Sequence, residues 1–101
     1  MRRARMTATT IHLVAERFRA LGEPARLSIL QALRHGERCV AELEADTGLN
    51  QANLSRHLQV LSGTGMVRRR KDGLFVYYAL ADANVLRLCE LMCGRGRSAA
   101  H

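Results

Sequence analysis

Between Val40 and Leu61 the apolar residues fall into two short helical stripes separated by Gly48-Leu49-Asn50, and this break constrains the fold more than any other feature. Val40, Leu43 and Ala45 share one side of a two-turn helix that Gly48 closes. Leu49 then re-enters the core. Asn50 is a favoured N-cap, and Leu54, Leu58 and Leu61 follow it at i, i+4 and i+7. A stripe that narrow leaves Gln51, Asn53, Ser55, Arg56 and Gln59 on or near the opposite face, so the second helix carries a polar surface.

The flanking segments supply the rest of a domain. Ile11, Val14, Ala15, Phe18 and Leu21 have helical spacing over residues 7–21, with Gly22 as a stop. Pro24 suits the first turn of a second helix, whose stripe of Ala25, Ile29, Leu30, Ala32 and Leu33 ends at Gly36. After Gly63 and Gly65 the period shortens to that of strands, Met66-Val67-Arg68-Arg69-Arg70 and Phe75-Val76-Tyr77-Tyr78-Ala79-Leu80, with Asp72-Gly73 at a hairpin turn. Asp82 opens a last helix in which Val85, Leu88, Cys89, Met92 and Cys93 form one stripe before Gly94 and Gly96. The expected organisation is a basic arm over 1–6, one domain over 7–95 and a frayed tail over 96–101. The fold class is mainly α with a two-stranded β wing.

Composition narrows the function. A chain of 101 residues has room for one domain and excludes a multidomain enzyme. Sixteen Lys and Arg against nine Asp and Glu give a net charge of +7, so polyanions are the natural partners. Two Phe, two Tyr and no Trp provide too few rings for a single-strand stacking platform, which leaves duplex nucleic acid. No apolar run approaches the roughly 18 residues of a membrane span, and nothing at the N-terminus resembles a secretory signal. The expectation is a cytoplasmic protein with reduced thiols, since three cysteines do not make an even disulfide framework. Catalysis has no support: there is no Ser-His-Asp set, phosphate loop or open metal site, and Cys89 and Cys93 are not a Cys-x-x-Cys redox pair.

Two short helices meeting at Gly48, the second with small polar side chains at its start, meet the requirement of a helix-turn-helix. The major groove of B-DNA admits one helix, where Gln and Asn address adenine edges and Arg addresses guanine. Gln51, Asn53 and Arg56 are the candidates for base contacts, and Ser55, His57 and Gln59 the candidates for either bases or phosphates. Arg68, Arg69, Arg70 and Lys71 make the hairpin a basic wing. Strand alternation sends Arg68 and Arg70 to one face and Arg69 to the other, so not all four reach DNA together. Asn50 and Ala52, at the start of the helix, complete the candidate interface.

From about Arg17 to Gly94 the chain resembles winged-helix repressors of the ArsR/SmtB family. The resemblance is carried by Leu21-Gly22-Glu23-Pro24-Ala25-Arg26-Leu27 with Ile29-Leu30, by Val40-Ala41-Glu42-Leu43, by Gly48 through Leu58 with Leu61, by Gly65-Met66-Val67, and by Asp72-Gly73 with Val76 through Leu80. It implies a homodimer paired through its first and last helices, recognition helices in successive major grooves about 34–36 Å apart, and an inverted-repeat operator on double-stranded DNA. It also implies release of DNA by an inducer, As(III) or another thiophilic ion, or by thiol oxidation or persulfidation, although some members have no effector. No resident cofactor is required.

Soft thiolates favour such ions, which makes Cys39, Cys89 and Cys93 the ligand candidates. Cys89 and Cys93 lie one turn apart on one helix face, about 6 Å between Cα atoms, and either share a soft ion or pack as small hydrophobes. Cys39 resembles the first cysteine of the family's Cys-Val-Cys metalloid motif, but Ala41 stands in place of the second. The family's zinc-type site on the last helix is also incomplete, with Asn84, Arg95 and Ser98 where ligands would stand.

Overall fold

The computed structural model describes residues 5–94. Its elements run α1 (Ala8–Leu21), α2 (Pro24–Ala32), β1 (Arg38–Cys39), α3 (Val40–Thr47), α4 (Gln51–Gly63), β2 (Val67–Asp72), β3 (Phe75–Leu80) and α5 (Asn84–Met92). The expected arm and tail lie largely outside the described residues. Among the described residues no helix is long and apolar enough to cross a membrane.

Local chemistry accounts for the helix ends. The Thr7 hydroxyl accepts from the Thr10 amide at 3.1 Å and caps α1. Pro24 occupies the first turn of α2, as expected, but that helix stops at Ala32 rather than running to Gly36. Residues 33–36 instead close tight turns, with the Gly36 amide bonded to the Leu33 carbonyl at 3.1 Å. Gly48, at φ 75°, takes the left-handed conformation that ends α3 with little cost to glycine. Thr47 secures the same corner: its hydroxyl donates to the Leu43 carbonyl at 2.6 Å and accepts from the Leu49 amide at 3.2 Å. The Asn50 carbonyl oxygen of the side chain then accepts from the Asn53 amide at 2.9 Å and opens α4.

The core is aliphatic. Ile29, Leu30 and Leu33 from the α2 region, Leu43 from α3, Leu54, Leu58 and Leu61 from α4, and Met66 with Val67 at the start of the hairpin form one buried cluster. The i, i+4, i+7 leucines of α4 are therefore its inner face. Arg17 fastens α1 to the far end of α4 by donating to the Thr64 carbonyl at 3.2 Å.

The sheet differs from the expected two-stranded wing. It is three-stranded and antiparallel in the order β1-β3-β2, with Arg38 opposite Tyr78 and Cys39 opposite Tyr77. A two-residue strand is too short to show a period in sequence, and Glu37-Arg38-Cys39 reads there as a connector. It covers the middle of the edge of β3 that β2 leaves open. Asp72 pairs with Phe75, so Gly73 at φ 62° and Leu74 form the hairpin tip.

The two terminal helices are scarcely buried. Ala20 is the one buried residue of α1 and α5 has none, while Ile11, Leu13, Phe18, Leu91 and Met92 are exposed. Replacing Leu58 by Ala, at the centre of the core, should cost about 2–5 kcal/mol, measured as a shift of the urea midpoint with unchanged slope. A cost near zero would mean that α4 is not anchored as described.

Candidate nucleic-acid interface

Because Leu54, Leu58 and Leu61 are buried, the opposite side of α4 presents Gln51, Ala52, Ser55, Arg56 and Gln59, all exposed. Asn53 and His57 are half-buried at the flanks of this face. The Asn53 side-chain oxygen accepts from Nη2 of Arg56 at 2.5 Å, which aligns the guanidinium along the helix start. Asn50 has its side-chain oxygen committed to the cap. His57 faces inward: its Nδ1 lies 3.3 Å from Nη1 of Arg26, whose Nε donates to the Ala20 carbonyl at 2.6 Å. His57 and Arg26 thus join α4 to the α1–α2 corner.

The four basic residues of the hairpin separate into two groups. Register and alternation put Arg69 and Lys71 on the face shared with Val67, Tyr78 and Leu80, the face that packs toward the helices at its base. Beyond the packed part this face is exposed, and neither Arg69 nor Lys71 forms a salt bridge among the described residues. Arg70 lies on the other face. Its Nε and Nη2 each donate to a different oxygen of Glu37 at 2.8 Å, Nη1 lies 3.5 Å from Asp72, and the guanidinium carbon sits 4.6 Å from the centre of the Tyr77 ring. The hydrogen bond from Arg70 holds the Glu37 carboxyl below its ordinary value, and Glu37 in turn raises Arg70. Arg68 shares the Arg70 face, with Nη2 at 3.5 Å from the Leu80 carbonyl. Of the residues expected at the interface, Arg70 and His57 are held by protein partners, whereas Arg56, Arg69 and Lys71 have no acidic partner among the described residues.

The cysteines are not gathered into one site. No group of three or more His, Cys, Asp or Glu residues able to hold a metal occurs among the described residues. Cys39 precedes α3 and donates its backbone amide to Glu42 Oε1 at 2.9 Å. That bond holds the Glu42 carboxyl below the usual range. Cys89 and Cys93 line a common cleft with Gln31, Arg34, His35, Leu86 and Glu90. Cys89 also borders an apolar cavity of about 240 Å³ with Phe18, Leu21, Leu27, Leu88 and Met92, and burial pushes its thiol above the ordinary value. Cys93 is exposed.

Sequence reasoning did not single out Arg26, Glu37 or Tyr77. Arg26 lies within the motif that carried the resemblance, and Glu37 sits beside a strand too short to register. Of the α4 residues expected at the interface, Gln51, Ala52, Ser55, Arg56 and Gln59 are exposed on one face, with Asn53 half-buried at its flank.

A recognition-sized helix with an exposed polar face, preceded by a glycine-cornered helix and followed by a basic antiparallel hairpin, defines a winged helix-turn-helix domain of the DNA-binding class. Residues 23–69 match the family described as bacterial regulatory protein, arsR family. Over 88 residues the chain is 38% identical to a probable mercury resistance operon repressor of Streptomyces lividans, covering 87% of this chain and 70% of that one. It is 39% identical over 75 residues to a transcriptional repressor SmtB homolog of Synechocystis, covering 74% of this chain and 57% of the relative, whose length it therefore spans only in part. The solution structure of a homodimeric winged helix-turn-helix DNA-binding domain from Mycobacterium bovis superposes with a TM-score of 0.80 at 32% identity, covering 98% of this chain and 96% of that one. The chain belongs to the ArsR family of transcription regulators, and its relatives are DNA-binding proteins rather than enzymes.

Thiol reactivity should follow the burial just described. Iodoacetamide at pH 8 is expected to label Cys93 ahead of Cys89, whose labelling should keep rising with pH above the ordinary thiol value of about 8.5, as resolved by peptide mass spectrometry. Equal rates at both positions would contradict the partial burial of Cys89.

Proposed function

We propose that this protein is a cytoplasmic, homodimeric transcriptional repressor that binds an inverted-repeat operator in double-stranded DNA and releases it when its thiols capture a soft metal or metalloid such as arsenite. The exposed polar face of α4, set opposite three buried leucines, carries the DNA reading. Gln51, Asn53 and Arg56 address base edges, while Ser55, Gln59, Arg69 and Lys71 meet phosphates. Ala52 offers a methyl surface to thymine. Asn50 and His57 act by holding the helix in place. The exposed apolar residues of α1 and α5 support pairing of two copies through these helices, which would set the half-sites about 34–36 Å apart.

The inducer reading rests on Cys89 and Cys93, one helical turn apart on a shared cleft. Cys39 is not among the residues that line that cleft and would join them from its own or the other subunit. Two thiols without a third ligand beside them among the described residues also support a second reading, in which oxidation or persulfidation is the signal. Either way, a coupling of about 1–3 kcal/mol would change operator affinity five- to 150-fold.

The test is an anisotropy titration of the reduced protein on an operator selected from its own promoter region, with arsenite, antimonite, cadmium, zinc and a persulfide donor added in turn. Release by a thiophilic agent that is lost in Cys89→Ser with Cys93→Ser is the expected result; no release by any of them would remove the cysteines from a sensing role and leave a regulator without this control. In the same assay Arg56→Ala should weaken operator binding more than random-sequence binding, and equal losses would remove Arg56 from the base contacts. Arg69→Ala should weaken both alike and lower the salt slope by about 0.9, whereas an unchanged slope would exclude a phosphate contact.

A further inference from the structure

We infer that Glu37 is a positioning residue of the DNA interface: by clamping Arg70 it fixes the angle of the wing and withholds one positive charge from the duplex, so that binding depends on sequence rather than on charge alone. The inference rests on the DNA-binding reading above and concerns residues that reading leaves unused.

All three guanidinium nitrogens of Arg70 have acidic neighbours, two on Glu37 at 2.8 Å and one near Asp72 at 3.5 Å, and its plane lies beside the Tyr77 ring. A guanidinium held in a two-pronged pair has lost the fork with which it would grip a phosphate. Exposed ion pairs contribute little to folding, and Arg70 and Glu37 are both substantially exposed, so stability alone is a poor reason for the arrangement. Position is a better one. Glu37 follows Gly36, whose φ of 129° turns the chain sharply out of the α2 region, and that region is anchored in the core by Ile29, Leu30 and Leu33. Arg70 stands opposite Tyr77, which pairs on its other side with Cys39 of β1, so the Arg70 side chain reaches across β3 to Glu37, two residues before Cys39. The clamp therefore ties the projecting hairpin back to the core, and it does so from the face opposite Arg69 and Lys71. Those two side chains are left free on the helix-side face while their strand is held from behind.

Freeing Arg70 should have a signature different from destabilisation. Glu37→Gln keeps the size of the side chain and removes its charge. Its binding to a random duplex and to an operator selected by the wild-type protein would be followed by anisotropy across a salt series. The expected result is tighter binding to the random duplex, a salt slope steeper by about 0.9, and a reduced ratio of operator to random affinity. Arg70→Gln, which breaks the clamp without freeing a cation, should reduce that ratio and leave the slope unchanged. Circular dichroism melts would establish that both variants are folded.

Unchanged ratio and slope in folded Glu37→Gln would overturn the inference. So would a shallower slope in Arg70→Gln, because Arg70 would then be a phosphate ligand in its own right. If Glu37→Gln fails to fold, the Arg70→Gln pair of readouts decides by itself. Wild-type protein that binds no duplex at low salt would instead defeat the DNA reading and this inference together, so the two failures are distinguishable.

Discussion

The burial of Leu54, Leu58 and Leu61 is the constraint on which the rest of the structure depends. A helix anchored along a narrow aliphatic stripe cannot roll, and its polar residues are consequently displayed at fixed azimuths. The corner before it does the complementary work along the axis. Gly48 in the left-handed region, the Thr47 hydroxyl and the Asn50 cap together determine where α4 begins. Arg26 and His57 add a polar tie on the flank, bonding α4 to the carbonyl end of α1. The presented surface is thus a product of core packing and of one turn, and the polar residues themselves contribute little to their own placement.

Charge is distributed with similar economy. The net charge of +7 describes attraction to a polyanion but not which groups are available to it. Arg38 is occupied by Asp46 at 2.8 Å and Glu42 at 3.6 Å, Arg19 by Glu16 and Arg70 by Glu37, all on the body or the far face of the hairpin. Among the described residues Arg56, Arg69 and Lys71 are left without acidic partners, on α4 and on the side of the hairpin that faces the helices. A run of four basic residues in sequence is therefore two separate chemistries in space, because a strand turns alternate side chains to opposite faces.

Sequence patterning revealed much of this, and its failures have physical causes. The α4 stripe, the Asn50 cap, the Gly48 corner and the hairpin are legible because each is announced by a local signal, a leucine spacing, a capping residue, a glycine and an Asp-Gly turn between alternating segments. The third strand was not, since Arg38 and Cys39 acquire strand character only by pairing with Tyr78 and Tyr77 some forty positions later. The same holds for Glu37 with Arg70 and for Arg26 with His57, which are thirty-three and thirty-one residues apart. Alternation did separate Arg70 from Arg69, yet nothing local indicated that one of the two would be held by a carboxylate. The apolar pattern runs past the end of α2 because Leu33 is apolar and buried, and its burial is equally well served by a turn.

The exposed faces of α1 and α5 carry a consequence for how such a molecule behaves in dilute solution. Under the proposed pairing, a chain whose first helix buries one residue and whose last buries none would gain further apolar burial from association. Folding and pairing would then share one equilibrium, and the melting temperature would become a function of protein concentration. In a cell holding few copies, the population competent to bind DNA would fall more steeply than the copy number itself. Synthesis rate alone would then act as a threshold, separating a silent regime from an effective one before any inducer is present.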